Sequence, residues 1–222
     1  MIAAFFDVDG TLYQNNMWRG LMQYASEHWR KQRARFYFLA LLPLYYLRKL
    51  NLIGEDAFRK PWMANLGWML KGWTQEQGDA AFRWIVEEYI RPSANEDVLA
   101  RLREHVAQGH VVVLVSGMLA STLELVGDQF GVTGVIGTQI EIKDGRFSGR
   151  TLPPIINGAE KARKMLKFLR ERGLEIDLAA SYSYADSIAD LSMLELVGHP
   201  VAVYPDKHLA ALARERNWET IQ

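Results

Sequence analysis

The stretch IAAFFDVDGT, residues 2–11, decides how the chain is read. It opens as an apolar run too short for an ordinary helix and without polar alternation, the pattern of a strand buried on both faces. Two carboxylates, Asp7 and Asp9, follow at the strand's exit. Gly10 lets the chain turn tightly just beyond them. Two acids so close repel each other unless something cationic sits between them. A calcium EF-hand loop is excluded. Counted from Asp7 as its first position, Leu12 stands where glycine is required and Trp18 where glutamate is required.

Working outward, the rest of the chain supplies the partners of that strand. Ser93 to Glu96 reads as a capping box opening a helix that runs towards Gly109. HVVVLVS, 110–116, is β-branched and apolar and fits no helical period. A helix pattern covers about 119–130, and the alternation on either side of Asp144-Gly145 signals a hairpin within 137–150. A charged helix spans about 159–172 and stops at Gly173. LAASYSY, 178–184, reads as a strand, 188–197 as a helix and PVAVYP, 200–205, as another strand. Strands alternating with helices imply parallel βαβ units, hence an α/β fold with a doubly wound parallel sheet. In such sheets ligands bind beyond the carboxyl ends of the strands.

Three further strand or helix ends carry chemistry. Ser116-Gly117 offers a hydroxyl and backbone N–H groups at a strand-to-helix junction, which suit phosphate oxygens, although a plain helix cap has the same look. It is not a hydrolase nucleophile elbow, because Leu114 occupies the position that needs glycine. Lys161 lies near the start of a helix, where a solvated surface lysine is the usual case. Asp186 and Asp190 follow the 178–184 strand, and Asp190 alone could simply favour a helix N-terminus. Taken together, carboxylates from two strands, one hydroxyl and one lysine make a coherent oxygen-rich site. It suits Mg²⁺ and a phosphate, and hence phosphoryl transfer.

Composition narrows the alternatives. The chain has 222 residues, no cysteine and 26 basic against 26 acidic residues. Thiol catalysis and Cys-ligated metals are therefore excluded, and no net charge points to nucleic acid. The start, MIAAFFDVDG, lacks a basic segment, so a secretory leader is not expected. The longest apolar run, FYFLALLPLYYL at 36–47, is too short for a membrane span and contains Pro43. A cytoplasmic protein is expected. Sixteen of the 25 aromatic residues fall between Tyr13 and Tyr89, and residues 13–60 hold nine bases against three acids. This stretch reads as a helical insertion, with Pro43 breaking or kinking any helix in its run.

The four segments DVDGT, VVLVSG, Lys161 and YADSIADLSML, in this order, resemble the haloacid dehalogenase superfamily of phosphohydrolases. The aromatic insertion falls where that family places a helical cap, so the chain looks like the phosphoserine-phosphatase-like branch. The resemblance implies a Rossmann-like core over 1–14 and 91–222 and a cap over 15–90. It implies that Asp7 is the nucleophile forming an aspartyl-phosphate and that Asp9 is the general acid and base. Mg²⁺ would be held by Asp7, the Asp9 carbonyl and Asp186, with Asp190 steadying the metal shell or Lys161. Thr11, Ser116, Gly117 and Lys161 would bind phosphate. In phosphoserine phosphatases a glutamate soon after the first motif holds the substrate ammonium; here that register holds Asn16, which cannot supply an ion pair and leaves the leaving group open. Gly117-Met118 stands where Gly-Gly is expected, and Ala185 where a glycine often precedes the aspartate.

The expected activity is therefore hydrolysis of a small phosphomonoester, of an amino alcohol or a lipid-related alcohol. A phosphotransferase or mutase on the same scaffold and a non-catalytic binding or membrane-associated module are the alternatives. Arg19 and Arg59 join Asn16 as candidates for reading the substrate. The bases at 30–35 and 48–49 flank the apolar 36–47 run, a pattern that also suits peripheral contact with anionic lipid. The oligomeric state is not legible.

Overall fold

The computed structural model describes residues 1–28, 31–50, 52–54, 57, 61 and 63–222. Strand β1 (Ala3–Phe6) is fully buried. It pairs in parallel with β2 (Val111–Leu119) on one side and with β5 (Tyr182–Ala185) on the other. Outward from β2 come β3 (Gly134–Lys143), parallel, and β4 (Arg146–Leu152), antiparallel; outward from β5 come β6 (His199–Val203) and β7 (Glu219–Ile221). Among the described residues the order is β4-β3-β2-β1-β5-β6-β7. The direction of winding reverses at β1, so the crevice of this doubly wound sheet opens where Asp7 leaves it.

The central strands β1 and β2 are covered on both faces, which is why they are apolar without alternation. Ala3, Phe5, Val111, Val113 and Val115 pack on one face with Met165 and Leu169 of α7 (Ala159–Glu171), Leu194 of α8 (Leu191–Leu194) and Leu209 of α9 (Lys207–Glu215). Ala4, Phe6, Val112 and Leu114 pack on the other with α5 (Glu96–Ala107) and α6 (Ala120–Phe130). That second core continues into the intervening helices: α1 (Met17–His28), α2 (Lys31–Lys49), α3 (Gly67–Leu70) and α4 (Gln75–Trp84), which runs on into a π-helical stretch, Ile85–Ile90. Their aromatics serve packing: the Tyr24 ring lies 6.2 Å from that of Trp73 and 5.5 Å from that of Trp84.

Several local expectations are corrected. The 93–96 box does not form. Ser93 closes a 3₁₀ turn over Arg91–Ser93 by donating to the Ile90 carbonyl, and α5 starts at Glu96 behind Asn95. β2 continues past Ser116 to Leu119 through a register irregularity, so Ser116 and Gly117 lie within the strand end, and α6 begins at Ala120. β5 is shorter than 178–184 because the Asp177 carboxylate accepts from the N–H groups of Ala179 and Ala180 and turns the chain there. The 188–197 helix is a 3₁₀ turn (Ile188–Asp190) followed by the four-residue α8. Pro43 does not break α2. Its missing N–H leaves the Leu39 carbonyl on an exposed side of the helix, where water can satisfy it. The hairpin forms as expected, with Asp144 and Gly145 both at positive φ.

Candidate active site

Asp7 follows β1 directly, and its N–H still pairs with the Tyr184 carbonyl at 2.9 Å. The carboxylate is therefore fixed to the rim of the sheet, 5% exposed. The chain then turns sharply. Gly10 sits at φ +91°, and a Cβ there would lie 2.3 Å from Asp186 Oδ2. No other residue fits between the first loop and Asp186. Thr11, expected to help place a phosphate, is fully buried; its hydroxyl lies 3.3 Å from both Asp7 Oδ2 and Asp186 Oδ1. It faces the two carboxylates and serves to orient them.

Lys161 reaches the same point from the opposite side. It lies in the first turn of α7 and is 4% exposed, so it is not the surface lysine that helix position alone suggests. Its Nζ is 2.6 Å from Asp7 Oδ1 and 2.7 Å from Asp190 Oδ1. Burial on its own would lower the ammonium's pKa, but Asp190 and Asp7 outweigh it and hold Lys161 well above its ordinary value. The lysine is the fixed positive charge between two buried carboxylates. Carboxylate oxygens of Asp7, Asp186 and Asp190 lie within 4.8 Å of one another. Hard oxygen donors on two adjacent strand ends fit a divalent cation such as Mg²⁺.

Asp9, two residues beyond Asp7, is half-buried. Its Oδ1 accepts the Met17 N–H at 3.0 Å, at the N-terminus of α1. The second acid of the pair is thus tied to the first helix after the motif. Ser116 lies on the neighbouring strand, two residues beyond Leu114, which pairs with Phe6. It is buried, and its Oγ accepts the Met118 N–H at 3.3 Å. The space a Cβ would take at Gly117 is occupied by the terminal methyl of Met63. A side chain from the helical stretch between the first two motifs therefore reaches over this strand end. Asn16 precedes α1, and its carbonyl accepts from the N–H of Arg19. Arg19 is exposed, with its guanidinium 5.3 Å from the Trp18 ring. Arg59 lies outside the described residues.

Three supporting residues were not singled out from the sequence. The Asn95 amide donates to the Thr11 carbonyl at 2.8 Å, holding the first loop to the start of α5. Thr138 donates to the Gly117 carbonyl at 2.8 Å. Asp206 accepts from Ser187 Oγ, the Ile188 N–H and the N–H groups of His208 and Leu209, and its own N–H bonds the Asp186 carbonyl at 2.8 Å. All three are ordinary polar residues in sequence, and only long-range pairing gives them a role. The one available signal was Asp206 before an apolar-periodic run, a helix-cap pattern.

Comparison with known proteins agrees with this geometry. A model of the haloacid dehalogenase-like hydrolases matches residues 4–195. A phosphoserine phosphatase of Mycobacterium tuberculosis is 32% identical over 98% of this chain and 69% of its own length. A histidinol-phosphatase of Neisseria meningitidis is 29% identical over 98% of this chain and 97% of its own. Among solved structures, a Bordetella pertussis protein of unknown function superposes with a TM-score of 0.84 at 25% identity, covering 100% of this chain and 99% of its own.

Proposed function

The chain belongs to the haloacid dehalogenase-like hydrolases, and from that membership we propose that it is a Mg²⁺-dependent phosphatase for the phosphomonoester of a small amino alcohol. The observation that carries the reading is the buried contact of Lys161 with Asp7 and Asp190 beside Asp186. A lone lysine held between acids at the switch point of an α/β sheet is poorly explained as a stability device. It is well explained as a charge waiting for a phosphate. The amino-alcohol class is supported by the names of two relatives: phosphoserine and histidinol phosphate are both phosphomonoesters of amino alcohols.

In this reading one carboxylate oxygen of Asp7 attacks phosphorus as the ester P–O bond breaks. Asp9, protonated, gives its proton to the departing alkoxide. Asp9, now ionised, takes a proton from the water that attacks the aspartyl-phosphate, and phosphate leaves with Asp7 restored. The Met17 N–H holds one Asp9 carboxylate oxygen at the start of α1. Lys161 offsets charge shared between Asp7 and the phosphate, and Ser116 with the Gly117 N–H would orient phosphate oxygens. Asp7, the Asp9 carbonyl and Asp186 would hold Mg²⁺, with Asp190 fixing Lys161; the ion would supply Lewis-acid neutralisation of the phosphate charge. The helices of 15–90, with Met63 over Gly117, would form the wall that meets the leaving group.

The test is phosphate release from phosphoserine, histidinol phosphate, phosphoethanolamine, a lysophosphatidate and an aryl phosphate, each with Mg²⁺ and with chelator. Metal-dependent turnover ranked in favour of an amino-alcohol phosphate is expected. Preference for the lysophosphatidate would overturn the substrate class, and turnover unaffected by chelator would overturn the metal.

A further inference from the structure

Among the described residues, seven of the twelve large apolar side chains that stand exposed fall between Phe36 and Leu52. They are not scattered. At 100° per residue, Phe36, Leu39, Pro43, Tyr46, Leu47 and Leu50 fall on one flank of α2 and its end. Leu39, Leu42, Pro43, Tyr46, Leu47 and Leu50 bound a shallow depression open to solvent. The opposite flank faces the protein, with Leu41 packed against the shared core and α2 resting on α1 and α3. An apolar stripe on the outside of a helix already packed on its inside is not there for the fold.

The charges beside the stripe select its partner. Residues 31–54 carry five bases, Lys31, Arg33, Arg35, Arg48 and Lys49, and no acid. Arg35 and Lys49 are exposed and fall beside the stripe on the helical wheel. Two copies meeting face to face would bring these basic flanks together with no carboxylate of the same segment to offset them, so a second copy is disfavoured. Within the stripe, the exposed Tyr46 supplies a ring with an apolar body and a polar tip, suited to a water–hydrocarbon boundary. No helix among the described residues is long and apolar enough to cross a membrane. The fitting geometry is a helix lying in the interface plane.

We propose that the outward stripe of α2 docks the protein onto an anionic lipid surface, its apolar side chains entering the headgroup boundary and Arg35 and Lys49 meeting lipid phosphates. The test is flotation of the whole protein with vesicles of phosphatidylcholine alone and of phosphatidylcholine mixed with phosphatidylglycerol. Binding to the mixed vesicles, weakened by added salt, is expected, with little on the neutral ones. The double variant Leu47→Glu, Leu50→Glu changes only exposed positions; it should keep the native melting temperature and lose at least tenfold in bound fraction. Lys49→Glu should lose binding to the mixed vesicles selectively. Three results would overturn the proposal: no enrichment on the anionic vesicles, equal binding by the double variant, or a native dimer in light scattering that the double variant converts to monomer. The last would assign the stripe to a second copy.

Discussion

Lys161 lets Asp7 and Asp190 lie side by side out of water, and the consequence of removing it is calculable in sign. Lys161→Met leaves two buried carboxylates without their cation. Breaking a buried pair in this way costs about 3–5 kcal/mol. Urea unfolding in the presence of chelator should show a loss of that size, and an unchanged midpoint would contradict the role assigned to the lysine. Asp7→Asn removes the proposed nucleophile while keeping the shape. Turnover should fall roughly ten-thousandfold or more with the fold retained, as measured by phosphate release and circular dichroism. Gly10 is as constrained as any catalytic residue. Gly10→Ala places a methyl against the Asp186 carboxylate at a backbone angle that alanine avoids. It should lower Mg²⁺ affinity in calorimetry before it lowers the melting temperature by more than a few degrees.

At the scale of elements, the turn carrying Asp186 and Asp190 is only as rigid as its anchor. Asp206 supplies that anchor from just beyond the end of β6. Burial on its own would raise the carboxyl's pKa. The hydrogen bonds from Leu209, Ile188, Ser187 and His208 together outweigh burial and hold it below the ordinary carboxylate range. A group depressed in this way stabilises the fold above its unfolded pKa, and the contribution is lost as pH falls through the folded pKa. Asp206→Asn should cost about 1–3 kcal/mol at neutral pH, with the difference from the native protein shrinking in acid. A difference independent of pH would show that the ionised carboxylate is not what holds the turn.

Elements also divide into those the sequence reveals and those it conceals. β1, the hairpin and α7 follow from local pattern: an unbroken apolar run, Asp144-Gly145 and a charged amphipathic stretch ended by Gly173. The two carboxylate pairs and Lys161 are legible because their positions at strand and helix ends recur in order. Local pattern puts Ser116-Gly117 at a strand-to-helix junction, whereas a register irregularity carries β2 on to Leu119. Asn95 and Thr138 are illegible because the partners that give them a role lie at least eighteen residues away in the chain, and Asp206 shows only its local cap, not its bonds to Ser187 and Ile188. The final α9 and β7 were missed as well, for no alternation marks a three-residue edge strand.

For the whole molecule, pH acts through a second buried group behind the sheet. His105 packs among Phe6, Tyr182 and Tyr184, with its Nδ1 2.7 Å from that of His110 and its Nε2 2.9 Å from the Tyr184 hydroxyl. Burial first, then His110 and Arg101, lowers its pKa from 6.5 to about 4. Between those values the unfolded chain takes up a proton that the folded chain refuses, so stability falls as pH drops. The melting temperature should decline from pH 7 to pH 5, and less steeply in His105→Gln. Equal slopes would show that His105 does not carry the acid sensitivity.

The proposed mechanism turns on phosphorylation of Asp7, and trapping that aspartyl-phosphate tests it directly. The protein would be mixed with excess phosphoserine or histidinol phosphate and Mg²⁺, quenched in acid and reduced with borohydride, which converts an aspartyl-phosphate to homoserine. Peptide mass spectrometry should then find homoserine at position 7, and neither homoserine nor phosphate release in Asp7→Asn. Phosphate release with residue 7 unmodified, and sustained in Asp7→Asn, would contradict the account.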